Sequence, residues 1–145
     1  MQITATRRLQ FAIGHRVFKH ESKCKHLHGH NFVFFLTAEA TEGGGSLDRL
    51  GRVIDFGILK EKLGSWLELN WDHGMILYEK DEEAIAGVRY IPGSKLFLLP
   101  ENPTAENLAL YVLRTVGPQV LKGTGVRLTK VAVWETENGI AEASL

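Results

Sequence analysis

A single cysteine stands in the whole chain, so no disulfide can form within it. Nothing approaches the roughly 18 continuous apolar residues of a membrane-spanning helix, and the N-terminus has no apolar signal-peptide stretch. These absences lead to the expectation of a soluble, cytoplasmic protein with no membrane partner. Charge of one sign is not in excess either: 17 Lys+Arg balance 17 Asp+Glu. A broadly basic footprint is therefore missing, and a general nucleic-acid binder is excluded as the expectation. Internal repeats and low-complexity tracts are absent as well. What is present is a chain of 145 residues, 44% hydrophobic, enough for one domain over residues 1–145 with a real core. Its charge is unevenly placed. Arg7, Arg8, Arg16, Lys19, Lys23 and Lys25 face only Glu21 in the first thirty residues, which reads either as a solvated run or as a positive field that steers an anion.

Periodicity predicts the elements. Residues 2–15 form an extended segment in which Phe11, Ile13 and His15 share one face. After a polar loop, a second strand runs from about Leu27 to Glu39, apolar on both faces and so expected to be covered on both. Gly43-Gly44-Gly45 breaks it. Asp55 caps a helix with Leu59, Leu63, Trp66 and Leu67 on its apolar stripe. From Tyr78 to Pro103 the chain reads as an irregular excursion with an acidic, solvated run and one short strand around Leu96–Leu99. Thr104 caps a second helix that Gly117-Pro118 ends. A strand from about Val126 to Glu135 places Thr129, Val131, Val133 and Glu135 on one face, and a short strand follows the Asn138-Gly139 turn.

The segment Cys24-Lys-His-Leu-His-Gly-His30 concentrates the candidate chemistry. Histidines at i and i+2 of a strand project from one face with Cα atoms roughly 6.5–7 Å apart, which lets two imidazoles converge on one ion. His28 and His30 meet that condition; His26 would stretch the set too far and, with His20, reads as a rim residue. A neighbouring antiparallel strand could bring His15 opposite the pair. Three imidazoles without an obligatory fourth protein ligand form the pattern of a catalytic zinc. Cys24 admits two roles. It could complete a closed Cys-His₃ structural site and make the protein a zinc-stapled binding module, or stand off the metal as a thiolate favoured by Lys23 and Lys25. Spacing alone does not choose.

Further candidates lie downstream. Asp72-His73 joins a carboxylate to an imidazole, a combination that orients a histidine for proton transfer, although it also occurs as a plain helix-end pair. Glu135 could accept two hydrogen bonds from an aminopyrimidine edge. Thr104 and Glu106 look first like a cap and a first-turn acid.

Taken together, Phe11-x-x-x-His15, Cys24-x-x-x-His28-Gly-His30-Asn31, Val53-x-Asp55-Phe56, Asp72-His73, Asn102-Pro103-Thr104-x-Glu106-Asn107 and Glu135-Thr136 resemble, in order and approximate spacing, the 6-pyruvoyl-tetrahydropterin synthase and 6-carboxy-tetrahydropterin synthase family. The resemblance implies an α+β tunnelling fold with element order ββααββ. In it a four-stranded antiparallel sheet carries two helices on one face, and the sheets of several subunits close into a barrel, as a trimer or a dimer of trimers. It implies zinc held by His15, His28 and His30, with Cys24 as the proton-transferring thiolate. Asp72 and His73 would be a relay across a subunit boundary, Glu135 the anchor for the pterin and in some descriptions part of the relay, and Thr104 and Glu106 part of the pocket lining. The implied substrate is 7,8-dihydroneopterin triphosphate, whose triphosphate would suit the basic N-terminal loop. Lys23-Cys24-x-x-Leu27-His28-Gly29-His30 and Glu101-Asn102-Pro103-Thr104 look like the short bacterial carboxy branch, which releases acetaldehyde on the way to queuosine-type deazapurines; the pyruvoyl branch keeps the three-carbon side chain.

Overall fold

The computed structural model describes residues 1–145. Strand β1 (Ala5–His15) pairs antiparallel with β2 (His28–Ala40) along its whole length, from Ala5 opposite Ala38 to His15 opposite His28. After β2 comes helix α1, residues 56–70, with Asp55 as its cap accepting from the Gly57 amide at 2.7 Å. Strand β3 (Gly74–Tyr78), helix α2 (Glu82–Arg89) and strand β4 (Leu96–Leu99) come next. Helix α3, residues 105–120, precedes the closing hairpin of β5 (Val126–Thr136) and β6 (Gly139–Ser144).

The sheet has six strands in the order β4-β3-β1-β2-β5-β6. It is mixed: β3 runs parallel to β1 and β4 parallel to β3, while the other pairs are antiparallel. The expected four antiparallel strands are thus present as the centre and one edge; in the excursion from Tyr78 to Pro103 the short strand expected at Leu96–Leu99 forms, and the acidic run expected to be a solvated loop is corrected to the start of helix α2. Five-residue β3 and four-residue β4 are short and apolar on both faces. Ile76, Phe97 and Leu99 join the main core, whereas Leu77, with Met75, Leu96 and Leu98 beside it, packs against Ala84, Ile85 and Val88 of α2. Alternation therefore sends successive residues to opposite faces, and α2 lies on the face away from α1 and α3. Two helices on one face was the expectation; a third covers part of the other.

The main core is built where the long helices meet the sheet. Leu59, Leu63 and Leu67 of α1 and Leu108, Val112 and Val116 of α3 are fully buried against Phe32, Phe34 and Leu36 of β2. Each such side chain contributes about 1.5–3 kcal/mol on burial. The opposite face of β2 is not covered by the rest of the chain as its composition suggested: Val33 and Phe35 stay half-buried, with Phe35 resting on Trp134 at 5.4 Å between ring centroids.

Two local features differ from the periodicity. Helix α3 does not stop at Gly117-Pro118 but continues to Val120, because its turn over Val112–Val116 is a π-turn. The wider turn relaxes the hydrogen-bond ladder where the proline nitrogen has no proton to donate. Gly117 is required there for a second reason: a Cβ on it would come 2.8 Å from Leu128 Cδ1 of β5. In β5 the register slips where Thr37 pairs with Lys130 but Ala38 with Leu128. Thr129 is the extra residue of this bulge, so the buried face reads Val126, Leu128, then Val131 and Val133.

Candidate active site

The antiparallel register of β1 and β2 creates the site. His15 lies directly opposite His28, and Ile13 opposite His30, so the three imidazoles gather at one end of the strand pair. Their ring centroids are 4.6 Å apart for His15–His28, 4.8 Å for His28–His30 and 5.4 Å for His15–His30. One nitrogen from each lies within 4.8 Å of the other two. On the reverse side of the sheet Gly14 faces Gly29, and a Cβ at Gly14 would collide with the Met75 sulfur.

Hydrogen bonds fix which nitrogen two of the three rings present. His15 Nδ1 donates to the Pro103 carbonyl at 2.7 Å, and His28 Nδ1 to the His26 carbonyl at 2.7 Å. Each Nε2 is then left as a lone pair, the form that binds a metal. His15 is fully buried and its Nε2 has no hydrogen-bond partner. Instead the Glu135 carboxylate stands 3.4 Å from it and 3.7 Å from His30 Nε2. The buried His15 lone pair facing a carboxylate with no proton to share leaves a space that suits a cation. Ligand atoms set tetrahedrally at about 2.0–2.1 Å from zinc would lie about 3.3–3.4 Å apart, and imidazole nitrogens within 4.8 Å of one another reach that spacing by small side-chain rotations. Burial holds the His15 and His30 imidazoles below their ordinary pKa and so in the neutral form; the carboxylate of Glu135 and, for His15, the Pro103 carbonyl oppose that shift. The residues present fit a zinc ion.

The other expected residues are placed as follows. Cys24 lies half-buried on a single 3₁₀ turn, Lys23–Lys25, and is not among the converging donors, so the three-imidazole set stays open. Asp72 is anchored by the Ala12 amide at 3.0 Å and holds His73 Nδ1 at 2.9 Å. His73 has a left-handed backbone, φ 58°, tied to the Ala12 carbonyl at 2.7 Å, and its ring projects into water. His28, His30 and His73 border one open cavity of about 790 Å³ that also includes Lys95 and Asn31. Lys95 itself donates to the Glu68 and Asp72 carbonyls at 2.7 and 2.5 Å, closing the end of α1. Thr104 accepts from the Asn107 amide at 3.1 Å as the cap of α3, and Glu106 is exposed in its first turn.

Sequence reading did not find the groups that hold these side chains. The carbonyls of Pro103 and His26 leave no trace in residue type. Asp81 lies in the run expected to be solvated, yet it is buried, caps α2 through the Ala84 amide at 3.3 Å and forms a two-pronged pair with Arg16 at 2.5 and 2.7 Å. Its signal was present: an Asp followed by Glu82 and Glu83 and then an apolar run is a helix start.

A mixed sheet backed by helices, with three imidazoles of adjoining strands converging at one end, defines the class: an α+β protein with a candidate three-histidine metal centre. The family model for 6-pyruvoyl tetrahydropterin synthase matches residues 4–144, and the chain belongs to that family. A 6-carboxy-5,6,7,8-tetrahydropterin synthase of Rickettsia bellii is 36% identical over 140 residues, covering 97% of this chain and 99% of that one. Among solved structures, an uncharacterized protein from Wolinella succinogenes superposes with a TM-score of 0.76 at 20% identity, over 98% of this chain and 97% of that one. The Caenorhabditis elegans 6-pyruvoyl tetrahydropterin synthase does so with a TM-score of 0.68 at 23% identity, over 99% and 95%. Likeness at these identities is one of fold.

Proposed function

We propose that this chain is a zinc-dependent 6-carboxy-5,6,7,8-tetrahydropterin synthase, a lyase converting 7,8-dihydroneopterin triphosphate and water to 6-carboxy-tetrahydropterin, acetaldehyde and triphosphate in a queuosine-type deazapurine route. The observation that carries the reading is the end-to-end likeness to a relative of that name at 36% identity, nearly the full length of both chains. The convergence of His15, His28 and His30 supports the metal.

His15, His28 and His30 would hold the zinc, which when bound polarises a substrate oxygen and acidifies the neighbouring C–H and O–H groups. The remaining steps belong to the protein. Cys24, on its 3₁₀ turn four residues before His28 and flanked by Lys23 and Lys25, carries a proton on one face of the side chain. His73, its Nδ1 fixed by Asp72, offers a free Nε2 for the other face. That ring is exposed at the mouth of the cavity and would serve the site of a neighbouring subunit, in a trimer or a dimer of trimers. Glu135, a third exposed beside the imidazoles, accepts from the amino-pyrimidine edge of the pterin. Thr104 and Glu106 would lie in the segment bordering the pterin, and the basic residues up to Lys25 would attract the triphosphate.

The test is to incubate the purified, zinc-loaded protein with dihydroneopterin triphosphate and measure acetaldehyde and triphosphate together. Equal release of both is expected. Triphosphate without acetaldehyde would place the chain in the pyruvoyl branch, and release of neither would make it a binding module.

A further inference from the structure

The segment Asn102-Pro103-Thr104 touches both halves of the proposed chemistry. Pro103 gives its carbonyl to His15 Nδ1 at 2.7 Å. One residue earlier, the Asn102 side chain grips the loop that follows His15. Its Oδ1 accepts from the Phe18 amide at 2.8 Å and its Nδ2 donates to the Phe18 carbonyl at 2.9 Å. A primary amide pairing with both groups of one peptide residue reproduces a rung of β-ladder, at a place where no strand continues. Next to Phe18, the Val17 amide donates to the Cys24 carbonyl at 2.8 Å, so the turn bearing the thiol hangs on the same short stretch. Asn102 is itself held. Its carbonyl accepts from the Thr104 amide at 2.8 Å and from Asn107 Nδ2 at 2.9 Å, and Thr104 is fixed as the cap of α3.

We propose that Asn102 is a positioning residue that sets the Cys24 turn in register with the metal ligand His15, by clamping Phe18 while the neighbouring Pro103 orients the imidazole. The inference rests on the reading of Cys24 as the proton carrier. Its physical content is that two side chains nine residues apart in sequence, His15 and Cys24, owe their relative placement to one rigid helix start far along the chain. Asn107 and Thr104 hold the 102–104 segment without help from the Asn102 side chain. Removing that side chain therefore releases the thiol loop and leaves the Pro103–His15 bond in place.

The test compares Asn102→Ala and Asn102→Asp with the parent protein by three readouts: the iodoacetamide alkylation rate of Cys24 at fixed pH, the visible spectrum of the cobalt-substituted protein, and the division of the kinetic effect between kcat and KM. Expected for Asn102→Ala are an alkylation rate changed by roughly threefold or more, an unchanged cobalt spectrum, and a loss of about tenfold or more in kcat with KM held within about twofold, as for misplacement of a reacting group. Asn102→Asp keeps the size and the bond from the Phe18 amide but cannot donate to the carbonyl, so an intermediate effect is expected; it carries the test if the alanine variant does not fold. Unchanged alkylation and kcat would overturn the proposal. So would a cobalt spectrum altered along with them, since Asn102 would then support the whole site without distinction. Full turnover by Cys24→Ala would remove the thiol from the mechanism, while the alkylation readout would still decide whether Asn102 places that loop.

Discussion

At the scale of single residues, the site is a set of lone pairs fixed by carbonyls. His15 and His28 each donate Nδ1–H to a backbone oxygen at 2.7 Å, which commits Nε2 to a ligand. His28→Ala is therefore expected to lower zinc affinity by more than the roughly 10–100-fold that losing an outer hydrogen-bond partner costs. The fold should be nearly unchanged, because His28 is only half-buried at the strand end; titration with a competing chelator and far-UV circular dichroism check the two halves of this expectation. The pair His28 and His30 was legible because period two on a strand puts alternate residues on one face. His15 was legible as a candidate for the same reason on β1, but the register that sets it opposite His28 is a property of paired chains. Glu135 was legible as a strand-end acid. That it faces two imidazoles depends on the pairing of β5 with β2, which carries the face of Val131 and Val133 on to Glu135, whereas the bulge upstream takes Thr129 out of that face, and no feature of residue type announces either.

At the scale of elements, the excursion between β3 and α3 is a second support for the loop that leaves His15. Asp81 at the start of α2 holds Arg16, and Asn102 before α3 holds Phe18. The long helices were legible from their caps, Asp55 and Thr104, and from leucines at helical spacing. Strand β3 and helix α2 were not, since a five-residue strand apolar on both faces has no alternation to read, and the charges of Lys80-Asp81-Glu82-Glu83 hide one buried acid among exposed ones. The hydrogen bonds from Arg16 hold the Asp81 carboxyl below its ordinary pKa. A carboxyl lowered in the folded state contributes stability that is present above the unfolded pKa of about 3.9 and is lost as pH falls through the folded value. Asp81→Asn is accordingly expected to lower stability by about 2 kcal/mol at pH 7, less than for a wholly buried pair because Arg16 keeps a fifth of its side chain in water. The deficit should shrink below about pH 4. Urea unfolding at pH 7 and at pH 3 measures both values; an equal deficit at the two pH values would show that the charge is not what Asp81 contributes.

At the scale of the whole molecule, one face of the sheet is closed by α1 and α3, while the other carries α2 over β3 and β4 and leaves Val33 and Phe35 half-exposed. The outer strands β4 and β6 each have a free edge. Unpaired edges are sites for association between copies, and His73, projecting outward on its left-handed residue, has a use in such an assembly. Light scattering is expected to give three or six times the chain mass of 16.2 kDa; a monomer with full activity would remove the relay between subunits. The central claim is that three imidazoles hold the metal and the thiol works beside it without holding it. Zinc content and acetaldehyde release, measured side by side on Cys24→Ala, test this most directly. The expected result is one zinc per chain with turnover reduced by about 10²–10⁴-fold; a variant that loses its zinc, or one that turns over like the parent, would contradict it.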